Sequence, residues 1–148
     1  YHANVDAKDN HNNTALYYAA RHGGSKEFIQ QIIQAGADIN NQNKIGQTAT
    51  HIAVRIGNND ALEGLLKNGV NVNIKDIVGK TPLIDAVKTN HPEAILTLIE
   101  HGANLTIKDN YGATAVSLGL SSTNPLIKDT FQLPILNKLQ IPTNNALL

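Results

Sequence analysis

Apolar residues along the chain fall into tight paired rows divided by polar breaks. Phe28, Ile29, Ile32 and Ile33 make one row, Leu62, Leu65 and Leu66 a second, and Ile95, Leu98 and Ile99 a third. The i, i+1, i+4, i+5 spacing places each row on one face of an amphipathic helix. A shorter apolar stretch precedes each row, the first being Thr14-Ala15-Leu16-Tyr17-Tyr18-Ala19-Ala20. The pattern predicts helix pairs, and it returns at a fixed step. Shifting Asp76–Lys108 by 33 residues brings Gly79 onto Gly46 and Gly112, Thr81 onto Thr48 and Thr114, and Gly102 onto Gly69 and Gly36. A period in the low thirties with two helices per period marks a helical solenoid.

Start and stop signals sharpen the units. Second helices begin at Ser25, Asn58, His91 and Asn124, and three of these four are good N-caps; His91 is read as a cap as well. Pro92 and Pro125 follow at the first helical position, where a missing N–H costs nothing. Glu27, Asp60 and Glu93 complement the positive helix end, and Gly36, Gly69 and Gly102 supply the left-handed residue that ends it. Between the pairs, stretches such as Asn73-Ile74-Lys75-Asp76-Ile77-Val78-Gly79 read as tight extended turns, too short for a sheet. The expected division is a tail of a preceding repeat over 1–8, then full repeats at 9–42, 43–75 and 76–108. The first carries one extra residue at Gly23-Gly24. Residues 109–133 read as a degenerate fourth repeat, and 134–148 as a C-terminal cap and tail, with capping helices expected across 124–140. Three or four buried aliphatics per unit, at about 1.5–3 kcal/mol each, cannot offset ordering thirty-odd residues, so units fold only when stacked.

Composition narrows the chemistry. With 148 residues and no Cys, disulfides, thiolate zinc sites and cysteine nucleophiles are excluded. Twelve basic and twelve acidic residues give zero formal charge, so no overall field favours nucleic acid or membrane. The lack of Cys leads us to expect an intracellular, cytoplasmic setting, and no apolar run approaches the roughly 18 residues of a membrane span. Ala3-Asn4-Val5-Asp6, which aligns with Ala37-Asp38-Ile39-Asn40 in a chain without an initiating Met, leads us to expect a piece excised from a longer protein. Six histidines show no i, i+4 pair, so no metal is expected; His11 and His22 are the weak exception. Gly79-Lys80-Thr81 looks like the end of a phosphate-binding loop, but position 74 is Ile where that loop needs glycine. Ala115-Val116-Ser117-Leu118-Gly119 lacks the first glycine of a nucleophile elbow and lies on a helix.

The run Gly79-Lys80-Thr81-Pro82-Leu83 with Ala86, the Leu65-Leu66 pair and Gly36-Ala37-Asp38-Ile39-Asn40 resembles the ankyrin repeat family over residues 3 to about 133. Departures are Asn12 in place of glycine, Asp85 in place of an apolar residue, Gly119 in place of a small Ala, and a single conserved-type proline and histidine, Pro82 and His51. The resemblance implies an all-α solenoid of stacked helix-turn-helix units with short hairpin-like turns. It also implies non-catalytic protein binding, with no cofactor, through turn tips and the concave face of the first helices. His51 would then hydrogen-bond neighbouring turn backbone.

Carried onto this sequence, those places are Asn10, His11, Asn13, Arg21 and His22; Gln42, Lys44, Ile45, Gln47, Arg55 and Ile56; Lys75, Ile77, Val78, Lys80, Lys88 and Thr89; and Lys108, Asn110 and Tyr111. Together with Lys8 they hold eight of the twelve basic residues, while Glu27, Asp60, Glu63, Glu93 and Glu100 fall on second helices. The chain is thus expected to be basic inside and acidic outside. An acidic protein segment is the expected partner, with Arg21, Arg55 and Lys88 as a charge ladder and the chain acting as a monomer. Asp85 precedes Lys88 by three residues and is expected to pair with it at the groove edge. The alternative is the targeting portion of a larger enzyme or effector whose catalytic domain lies elsewhere. Nucleic-acid binding is disfavoured by zero net charge and few aromatics.

Overall fold

The computed structural model describes residues 4–132. The tail residues 1–3 and the cap and tail expected over 134–148 lie outside the described residues. Among the described residues eight α-helices follow in pairs: α1 (Ala15–Arg21) with α2 (Lys26–Gln34), α3 (Ala49–Ile56) with α4 (Asn59–Lys67), α5 (Pro82–Lys88) with α6 (Pro92–Glu100), and α7 (Ala115–Leu120) with α8 (Pro125–Thr130). No strand occurs among the described residues. The first helices stack as one layer, α1 on α3 on α5 on α7, and the second helices as another, α2 on α4 on α6 on α8. The fold is an all-α repeat solenoid.

Local chemistry sets each helix. Ser25, Asn58 and Asn124 accept from Phe28 N, Ala61 N and Leu126 N, capping α2, α4 and α8 as expected. His91 does not cap α6, because its Nδ1 is taken by Thr89 Oγ1 at 2.9 Å and its ring covers Gly57. In the first layer Thr48, Thr81 and Thr114 accept from the amides of His51, Ile84 and Ser117. At the far end of α2 the Ala37 amide reaches back to Ile32 O and Gly36 N to Ile33 O, a closure that requires the positive φ Gly36 adopts.

The core lies between the layers and between units. Leu62, Leu65, Ile95 and Leu98 are fully buried there, with Leu16, Leu83 and Ile84 beneath the first layer. Phe28 departs from the expected buried row: it is 48% exposed, whereas Ile29 beside it is wholly buried. Gly119 has a reason the sequence did not show. A Cβ there would overlap the ring of Phe131, which is itself buried and closes the fourth unit.

Candidate functional site: the concave face and the turn tips

Each turn is built by one side chain. Asp9, Asn43, Asp76 and Asp109 present Oδ1 to the amides two and four residues ahead, for example Asp76 to Val78 N at 3.0 Å and Lys80 N at 2.9 Å. The backbone then turns through a left-handed residue, Asn12, Gly46, Gly79 or Gly112, so Asn12 adopts the glycine-type conformation at φ 59°. Successive tips are joined by one backbone bond per step, Lys44 N to His11 O, Ile77 N to Ile45 O and Asn110 N to Val78 O, at 3.0–3.1 Å. A side-chain bond repeats the joint where Asn110 Nδ2 donates to Ile77 O. The projecting turns therefore act as a coupled row, held without a strand ladder.

His51 ties a turn to a helix. The Thr48 amide donates to Nδ1 at 3.1 Å, so the ring proton stands on Nε2, which donates to Lys80 O at 2.9 Å. This is the contact to neighbouring turn backbone expected of it. Burial disfavours the charged ring and lowers its pKa, against the raising pull of the bond to Lys80 O.

Beneath the tips lies a layer of acid that sequence reasoning missed. Asp76, Asp85 and Asp109 are all buried. Asp85 does not pair with Lys88. It binds Lys80 Nζ at 3.1 Å, with Asp76 Oδ2 at 4.0 Å from the same ammonium, while Lys88 Nζ lies 3.8 Å from Asp109 Oδ2 in the next unit's turn. The turn residue Lys80 reaches the Asp85 carboxylate first, and Lys88 meets the acid of the following unit instead. Ligand atoms of His51, Asp76 and Asp85 fall within 4.8 Å of one another, a grouping that could hold a metal. The cation it faces is Lys80's ammonium, and both imidazole nitrogens are already committed.

The expectation of a uniformly basic interior is corrected by these acids. Among the described residues the ion pairs are Lys26–Glu63 on the second layer and those of Lys80 and Lys88; Arg21, Lys44 and Arg55 are in none. An open hollow of about 450 Å³ lies mainly across the first two units and reaches Thr89 of the third, its other lining residues being Tyr17, Arg21, Ile45, Gln47, Ile52, Arg55 and Ile56. A smaller one at the first tip is lined by His11, Asn13, Tyr17, Asn43, Lys44 and Ile45. Of the sequence-predicted residues these hollows gather His11, Asn13, Arg21, Lys44, Ile45, Gln47, Arg55, Ile56 and Thr89. Ile77, Asn110 and Tyr111 are exposed on later tips beside half-buried Val78, and Lys75 and Lys108 are exposed just ahead of them. His22 stacks on Tyr18, 6.1 Å between centroids, and lines a separate hollow at the α1–α2 end. His11 and His22 thus face different hollows. Gln47 lines the larger hollow as expected, whereas Tyr17 and Ile52 were missed, since a helix position that looks like core in the sequence can still edge a groove.

The fold and its turns define a helical-repeat scaffold whose exposed chemistry is a surface. A family model of ankyrin repeats, three copies, matches residues 16–109, and the chain belongs to the ankyrin repeat family. No curated protein matches it. Ankyrin repeats are generally non-catalytic protein–protein interaction modules. No helix among the described residues is long and apolar enough to cross a membrane.

Proposed function

We propose that this chain binds an acidic segment of a partner protein in the concave hollow of its first two units. The carrying observation is the state of the cations: Arg21 and Arg55, one unit apart, flank the hollow unpaired among the described residues, while Lys80 and Lys88 face buried carboxylates. A guanidinium presents a planar fork that suits a carboxylate. Ile45 and Ile56, 47% and 45% exposed, flank the arginines and supply apolar area beside the charge. The ladder expected from sequence therefore narrows to Arg21 and Arg55, with Lys44 at the tip, and Lys88 becomes a secondary contact.

The test uses a fluorescent peptide alternating Glu with Leu as the acidic probe. Arg21→Glu with Arg55→Glu should weaken its binding by about a hundredfold, from two lost charge contacts and the repulsion that replaces them. Lys88→Glu should cost less than about threefold, because Asp109 already occupies that ammonium. Equal affinity for the wild type and the double variant would refute the reading.

A further inference from the structure

We propose that the α1–α2 end of the array is a stacking surface, shaped to receive the helix pair of one more ankyrin unit whose closing turn is the one residues 4–8 already form. The first observation is register. Ala61, Ala94 and Ile127 occupy the place of Phe28 in the later units and are all wholly buried, each on a second helix that packs against the second helix of the preceding unit. Ala49, Pro82 and Ala115 occupy the place of Ala15 and are buried too. Phe28 is half-exposed and Ala15 exposed. An end unit of a solenoid ordinarily turns a polar face outward. Here that face is a largely apolar hollow lined by Ala15, Tyr18, Ala19, His22, Phe28 and Ile32.

The second observation fixes the occupant and its orientation. Asp6 Oδ1 accepts from Asp38 N at 2.9 Å, just as Asn40 Oδ1 accepts from Asn71 N and Asn73 Oδ1 from Asn104 N at the two internal joints. Ala7 N donates to Asn4 O as Asn41 N donates to Asp38 O. The closing turn of a unit thus already stands in register beside the bare face, and a helix pair leading into that turn would lie against Phe28 and Ile32. A second copy of the chain, brought in face to face, could not continue this ladder, because Asp6 already fills the joint. Such a unit would lengthen the concave face ahead of Arg21, independently of what that face binds.

The experiment joins a copy of residues 76–102 directly ahead of Ala3, since that unit natively packs on Ile127, the large residue at the place of Phe28. Hydrogen exchange of the α1 and α2 amides is read in the 148-residue chain and in the extended one. The extension should slow exchange of the α2 amides by at least about tenfold, and Phe28→Asp should erase that gain while altering the unextended chain less. A second extension copying residues 43–69 guards against a poor fit of the first. Unchanged α2 exchange with both extensions overturns the proposal. So does concentration-dependent dimerisation of the 148-residue chain that protects the same amides, which would make a second copy the occupant.

Discussion

Replacing His51 with leucine should cost about 2–5 kcal/mol of stability, read by urea unfolding, although leucine is nearly the same size and equally at home in a core. The ring is wholly buried and satisfies two backbone groups from different parts of the unit junction, the Thr48 amide and the Lys80 carbonyl. Leucine leaves the Thr48 amide without a partner away from water and the Lys80 carbonyl with the Asp76 amide alone. The same residue gives the protein a pH dependence of known sign. Because burial lowers the folded-state pKa below the ordinary 6.5, the unfolded chain takes up the proton first as pH falls. The stability held by the neutral ring is present above about pH 6.5 and declines as the pH falls below it. His51→Leu, weaker throughout, should lose this share of the slope. A leucine variant as stable as the wild type would show that the turn does not depend on the ring.

The second large effect concerns Lys80. Lys80→Met should destabilise the array by about 3 kcal/mol, since it removes the ammonium facing two buried carboxylates. Asp85 Oδ2 already lacks a hydrogen-bond partner, so the loss of the cation at Oδ1 leaves the group with no compensation among the described residues. Lys80→Met combined with Asp85→Leu should recover most of that loss. The neighbouring units support this rescue: Ile52 and Leu118 stand at the place of Asp85 in the second and fourth, so an aliphatic side chain fits the site. A single variant losing less than about 1 kcal/mol would mean that solvent reaches the cluster and the pair is only a surface contact.

Much of the fold was legible because a repeat states each rule several times. The asparagine and serine caps, the glycine terminators and the left-handed Asn12 all follow from one residue's own backbone needs. What was hidden depends on which neighbour arrives. Lys80 and Arg55 look alike as cations near a groove, yet Asp85 comes from the following helix to meet one, and no acid among the described residues meets the other. The partner of Lys88 is Asp109, a residue of the next turn, so local spacing favoured the wrong acid. Phe28 matches a buried row letter for letter, but among the described residues no helix stacks ahead of its unit. His91 stands at a cap position and is drawn off by Thr89. In each case sequence spacing carries the element, and three-dimensional neighbours decide the side chain's role.

The claim that a partner's acidic segment lies between the first helices and the first two turn tips is tested most directly by titrating the isotope-labelled chain with the Glu-Leu peptide and following amide shifts. The account places the large shifts at Arg21, Ile45, Arg55 and Ile56, with the outer-layer amides of Glu63, Leu96 and Glu100 unmoved. Shifts concentrated on that outer layer, with the four concave amides silent, would contradict it.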